Sequence, residues 1–195
     1  NEITAIPELL DALVLAGAIV TIDAMGTQKD IAAKIRERKA DYVLALKGNQ
    51  GTLHDDVKDF FGDPVLSAEC PAHTDTHLGH GRIEERVCRV ADARPWLAER
   101  HPDWADLTSI ARVSATRTDK KTGETSTETR FYISSLPPDP AAIAAACRSH
   151  WSIENNLHWQ LDVTFREDAC RTRKDHAPLN FAIIRHAALN MLKRD

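Results

Sequence analysis

The sequence predicts an α/β protein with a β-rich insertion and a helical C-terminus, on three observations. Residues 3–46 alternate amphipathic and continuously apolar stretches joined by short turns, the pattern of parallel strands with helices between them. Residues 82–134 hold three strand-like segments rich in β-branched side chains. Residues 141–165 contain neither Gly nor Pro and begin in an alanine-rich run, which favours a long helix.

Ile3 to Leu15 reads as the first helix, with Ile6, Leu9, Leu10 and Leu13 forming an apolar stripe and Gly17 ending it. Ala18 to Asp23 is a short, nearly continuous apolar run closing on an aspartate, as a buried strand would, and Ala24-Met25-Gly26 is a loop signal. Gln28 to Lys39 is amphipathic through Ile31, Ala32 and Ile35. Asp41 to Leu46 is a second buried strand, closed by Lys47-Gly-Asn-Gln-Gly51. Leu53 to Phe61 predicts a helix with Val57, Phe60 and Phe61 inward.

From Gly62 to Gly81 Pro, His, Thr and Gly cluster, and the stretch reads as loop. Strands follow at Arg82 to Val90, Leu107 to Thr116 and Thr127 to Ser134, with Asp119-Lys-Lys-Thr-Gly123 as a hairpin tip. Trp96 to Trp104 is a short helix or turn. Pro137-Pro138 ends the block, and Leu179 to Leu192 is a final amphipathic helix. The expected division is 1–61 as an α/β unit, 62–136 as the β-rich insertion and 137–195 as the helical completion.

Composition bounds the function. A chain of 195 residues can bury a real core. No apolar run approaches the ~20 residues of a membrane span, and no signal-peptide pattern opens the chain. A net charge of −4 does not exclude a nucleic-acid partner, because an acidic centre can mask a local basic face. Four cysteines without close-ligand spacing fit a reduced, intracellular protein.

The carboxylates carry the candidate chemistry. At ~100° per residue, Cys147, Trp151, Leu157, Leu161 and Phe165 share one sector of the long helix, and Glu154 lies within it. His150, His158 and Asp162 flank Glu154 at i−4, i+4 and i+8. Glu154 is either a core ion-pair partner of a histidine or a catalytic acid, because a carboxylate in an apolar sector needs a proton, a cation or a metal. Asp23 stands at a strand's C-terminal end, where ligands of open α/β sheets gather, although taken alone it reads first as the cap of a turn with Gly26.

Together, Asp23 and Glu154 offer the oxygen ligands that Mg²⁺ prefers. His150, Glu154 and His158 would alternatively present a zinc-binding ridge of a hydrolase on one helical face. Lys47, His80 and Arg82, in the turn after the second strand and in His77-Leu-Gly-His-Gly-Arg-Ile-Glu84, are candidate phosphate contacts; the alternative is solvated loops. The basic residues of the tail admit the same two readings.

Several stretches resemble a known family: Ile3-Thr-Ala-Ile-Pro-Glu-Leu-Leu10, Thr21-Ile-Asp-Ala-Met-Gly26, Tyr42-Val-Leu-Ala-Leu-Lys-Gly-Asn-Gln50, Gly79-His-Gly-Arg-Ile-Glu84, Tyr132-Ile-Ser-Ser-Leu136 and His150-Trp-Ser-Ile-Glu-Asn-Asn-Leu-His-Trp-Gln-Leu-Asp-Val163. In that order they resemble bacterial insertion-sequence transposases of the branch that includes the H-repeat-associated proteins. Those have a DDE catalytic core of RNase H-like fold. The resemblance implies a partial RNase H-like fold here and a cut-and-join reaction on DNA. In it three acids bind two Mg²⁺ (or Mn²⁺) ions, water attacks at the element end, and the freed 3′-hydroxyl attacks target DNA.

By the same resemblance Asp23 is the second acid and Glu154 the third, with His150, His158 and Asp162 as supporting groups. The first aspartate is expected on a strand before Asn1, so this chain is expected to be a catalytically incomplete piece. A DNA-binding remnant without chemistry is the alternative. The wider group often has Arg four residues before the glutamate and Lys seven after it; here those positions are His150 and Leu161. The implied partners are DNA ends and target DNA, with homo-oligomerisation, and the implied location is the bacterial cytoplasm, on the nucleoid when DNA is bound.

Overall fold

The computed structural model describes residues 2–79 and 81–193, without the side chains of Glu2, Glu154 and Asn155. It forms two compact units, Asn1–Cys147 and Arg148–Asp195.

The first unit is built on one six-stranded mixed sheet. Its opening elements are α1 (Glu2–Ala12), β1 (Ile19–Ile22), α2 (Lys29–Glu37) and β2 (Asp41–Leu46). β1 and β2 pair in parallel, Ile22 opposite Leu44, as the alternation predicts. Then come α3 (Thr52–Gly62), α4 (Pro64–Glu69), β3 (Ala72–Gly79), β4 (Arg82–Asp92), α5 (Leu97–Arg100), β5 (Ser109–Asp119) and β6 (Thr125–Ser134). The sheet order is β1-β2-β6-β5-β4-β3, so β6 returns to pair antiparallel with β2, Val43 opposite Ser134. The strands of the β-rich block therefore continue the sheet that β1 and β2 begin.

β2 explains why its sequence is continuously apolar. Tyr42, Leu44 and Leu46 enter one core with Leu10 of α1, Ile31 and Ile35 of α2, and Leu53, Val57 and Phe61 of α3. Val43 enters a second core on the other face with Ile143, Ala146 and Cys147 of α6 (Pro140–Ile153). A strand covered on both faces has no solvent side on which to place polar residues.

Two elements depart from the sequence expectation. α4 forms where a loop is expected, because the Asp63 carboxylate accepts hydrogen bonds from the Val65 and Leu66 amides (2.8 and 3.1 Å) and Pro64 occupies the first turn. β3 is an almost wholly polar edge strand, held by its eight-residue register with β4 rather than by an apolar face.

In the second unit the chain leaves α-helical geometry after Ile153. Glu154–His158 and Gln160–Thr164 form π turns, with Phe165 N–H donating to Gln160 C=O at 3.1 Å. The expected single α-helix through Phe165 is thus replaced by wider turns, so a 100° step no longer predicts which side chains align. Leu161 is buried and Leu157 and Phe165 are half-buried, but Trp151 is 42% exposed. A last helix, α7 (Ala177–Leu192), packs on the second π turn. Among the described residues no helix is long and apolar enough to cross a membrane.

Candidate active site

The site in the first unit is the C-terminal end of the parallel pair β1 and β2. Asp23 follows β1 directly and its side chain is exposed, whereas Ala24, Gly26 and Thr27 behind it are buried. Its Oδ1 accepts hydrogen bonds from the Met25 N–H (3.0 Å) and the Gly26 N–H (3.3 Å). Oδ2 has no partner among the described residues. The turn-cap geometry and the availability of a ligand oxygen therefore coexist in one carboxylate.

Three further features fix this loop. The Thr27 hydroxyl, in a side chain only 1% exposed, donates to the Asp23 C=O (2.9 Å) and the Ala45 C=O (2.8 Å), tying the loop to β2. Gly26 lies where a Cβ would stand 2.5 Å from Ile22 Cγ2 and 2.8 Å from Ile6 Cδ1, so a larger residue fits only if these side chains or the loop shift. The turn after β2 reaches back as well: Asn49 Nδ2 donates to the Ala24 C=O (2.8 Å), and Gln50 Nε2 to the carbonyls of Ala24 (3.0 Å) and Thr27 (3.1 Å).

Lys47 is exposed at the end of β2, two residues past the Ala45 carbonyl that anchors the Asp23 loop. Its backbone N–H donates to Gln50 Oε1 at 3.0 Å, which holds the turn and leaves the ammonium outward. Sequence reasoning singled out Lys47 in this turn and missed Asn49 and Gln50; two carboxamides directly after a buried strand were the available signal.

At the far end of the sheet, Arg82 is exposed and lines a 270 Å³ cavity with His77, Gly79, Glu84 and Arg117. Glu84 is engaged there by Arg117 Nε (2.8 Å) and Arg86 Nη2 (2.6 Å). His80 lies outside the described residues.

In the second unit Glu154 opens the first π turn. His150, half-buried on α6, packs its ring edge-on against Trp151 at 5.3 Å, while His158 ends the turn and is exposed. Asp162 is exposed on the second turn. Among the described residues no three metal-ligating side chains come together. The Lys193 ammonium donates to the Asn156 carbonyl, and Arg185 Nη1 reaches Glu167 Oε1 at 3.3 Å.

Residues 1–191 match the family described as Transposase DDE domain. The chain belongs to the DDE transposase family. It is 43% identical over 196 residues to "Putative transposase YncI" of Escherichia coli O157:H7, covering 99% of this chain and 50% of that protein. It is 40% identical over 200 residues to "H repeat-associated putative transposase YhhI" of Escherichia coli strain K12, covering 100% of this chain and 52% of that protein. The chain thus spans about half the length of the curated relatives it matches. Within a DDE transposase, a strand-end aspartate with one carboxylate oxygen pinned and the other open has the donor chemistry of a divalent-metal ligand.

Proposed function

We propose that this chain is part of the catalytic domain of a DNA transposase, in which Asp23 and Glu154 are the second and third metal-binding acids. The observation that carries the reading is Asp23 itself: an exposed carboxylate at the end of a parallel strand, oriented by two backbone N–H groups, with Oδ2 open. Two hard carboxylates suit Mg²⁺ or Mn²⁺, and such ions supply charge stabilisation for phosphoryl transfer. In that reaction water bonds to phosphorus as the bond to the 3′ oxygen breaks, and the freed 3′-hydroxyl repeats the displacement on target DNA.

In this reading residues 1–61 and 137–195 belong to the RNase H-like core and 62–136 to its insertion. Lys47, His80 and Arg82 contact DNA phosphates, Lys47 beside the Asp23 loop and Arg82 at the start of β4. His150, His158 and Asp162 orient or neutralise Glu154. The first aspartate belongs to the part of the longer relatives that lies outside the match, and assembly into a homo-oligomer on DNA would occur at the nucleoid.

The test uses the purified 195-residue chain. It should bind Mn²⁺ weakly, lose that binding in Asp23→Asn, and shift an element-end duplex in a salt-dependent manner without nicking it. Replacing Lys47 or Arg82 by Ala should lower the slope of log affinity against log salt by about 1 each. Mg²⁺-dependent nicking by this chain alone would overturn the placing of the first acid in the part of the longer relatives outside the match. Mn²⁺ affinity unchanged in Asp23→Asn would remove Asp23 from the site.

A further inference from the structure

The side chains of Asn49 and Gln50 hydrogen-bond to the carbonyls of Ala24 and Thr27, and so hold the loop on which the Asp23 carboxylate depends. β1 ends at Ile22, beside Leu44, and β2 runs on only to Leu46, so the turns that follow them are neighbours. The second turn turns its two carboxamides toward the first. Asn49 Nδ2 and Gln50 Nε2 both donate to the Ala24 carbonyl, at 2.8 and 3.0 Å, using both of its lone pairs. The other hydrogen of Gln50 Nε2 goes to the Thr27 carbonyl at 3.1 Å, and its Oε1 accepts from the Lys47 N–H at 3.0 Å. Every polar position of the Gln50 carboxamide but one acceptor lone pair is therefore committed to fixing one turn against the other.

The consequence falls on Asp23. Its Oδ1 is held by the amides of Met25 and Gly26, which lie between the two clamped carbonyls of Ala24 and Thr27. If that stretch shifts, both amides shift with it and the carboxylate regains its freedom about χ1 and χ2, three staggered wells in the first case and a broad two-fold torsion in the second. While the stretch is clamped, Oδ2 alone is presented outward. Neutral amides suit this task because a Lys or Arg reaching the same carbonyls would set a cation beside Asp23 and compete with a metal for its charge.

We propose that Asn49 and Gln50 are positioning residues that preset Asp23 as a monodentate ligand through Oδ2 for a divalent cation. The proposal rests on the reading of Asp23 as a metal ligand. Groups that orient a ligating carboxylate typically change metal affinity about 10–100-fold when removed.

The experiment is a Mn²⁺ titration of the ¹⁵N-labelled 195-residue chain, following paramagnetic broadening of amides 23–27, with amide hydrogen exchange measured in parallel. Wild type should show broadening centred on Asp23. Asn49→Ala with Gln50→Ala should weaken the Mn²⁺ affinity roughly 10-fold or more. It should also speed exchange at Met25 and Gly26, while exchange in β2 and β6 stays near wild type. Asn49→Ala alone, which removes one exposed amide, should give a smaller change in the same direction in a chain that keeps its fold. Unchanged Mn²⁺ affinity in both variants, with wild-type broadening intact, would overturn the clamp and leave Asp23 a ligand. No broadening near Asp23 in wild type would overturn the ligand reading and the clamp with it.

Discussion

Replacing Thr27 by Val tests whether the loop behind Asp23 is anchored by a single hydroxyl. Val keeps the branched shape and removes only the O–H, so packing within the 1% exposed site is preserved. The hydroxyl lies 2.9 Å from the Asp23 carbonyl and 2.8 Å from the Ala45 carbonyl, but it has one hydrogen, so these distances describe one shared bond. The loss is therefore that of one donor facing part-buried acceptors, ~1–3 kcal/mol, and twice that figure would double count. For a chain of this length each kcal/mol lowers Tm by about 2–4 °C, giving an expected fall of about 2–12 °C. Thermal and urea unfolding followed by tryptophan fluorescence would show it, since Trp104 is buried in the core of the first unit. The slope against urea should not change, because the exposed surface does not. A fall smaller than about 1 °C would mean that the loop is carried by Asn49 and Gln50 without Thr27, and would refute the argument.

Two further perturbations address the same loop and the second unit. Gly26→Ala places a Cβ 2.5 Å from Ile22 Cγ2, so either the Ile22 side chain or the loop must move; a cost of ~1–3 kcal/mol and faster amide exchange at Met25 should follow in a denaturation and exchange experiment. Cys170 is the thiol predicted to react: hydrogen bonding from Arg185, then from Thr172, lowers its pKa from 9.0 to about 7. Burial pushes Cys88 and Cys147 up to about 12 and raises Cys70 as well. Alkylation should therefore modify Cys170 first, with a rate rising through about pH 7, and Arg185→Gln should move that midpoint toward 9. By linkage, a thiol with a lowered folded pKa stabilises the fold fully above its ordinary value and loses that contribution as pH falls through about 7.

The parts of the fold that were legible are those in which burial dictates composition. β2 was readable because a strand enclosed on both faces must be apolar throughout, and Tyr42, Val43 and Leu44 divide between two cores. β1, expected as a buried strand, is an edge strand that packs Val20 and Ile22 against the first core and leaves Ile19 46% exposed. β3 was not readable, since Ala72–Gly79 has no alternation and its only large apolar residue, Leu78, is 64% exposed; pairing with β4 makes it a strand. α4 did carry a local signal, Asp63 followed by Pro64, in a stretch whose Pro and Gly content reads as loop. At the site, Asp23 was legible from its strand end. What holds it was not, because Asn49 and Gln50 meet the Ala24 carbonyl across 25 and 26 residues and nothing in a carboxamide names its distant acceptor.

Glu154 illustrates a different limit. Its expected place in an apolar sector rested on a constant 100° step, and that step ends at Ile153. Nothing in Glu154-Asn-Asn-Leu-His158 forbids an α-helix, as the stretch has no Gly, Pro or β-branched residue. The Asn156 carbonyl within this turn accepts from the Lys193 ammonium, 37 residues along the chain just past α7, a tertiary contact that no periodicity in the helix itself announces. π turns are rare, and those that occur are frequently found at functional sites. The case for Glu154 accordingly moves from the apolar sector, which the structure does not preserve, to its position at the junction where the helix changes its turn.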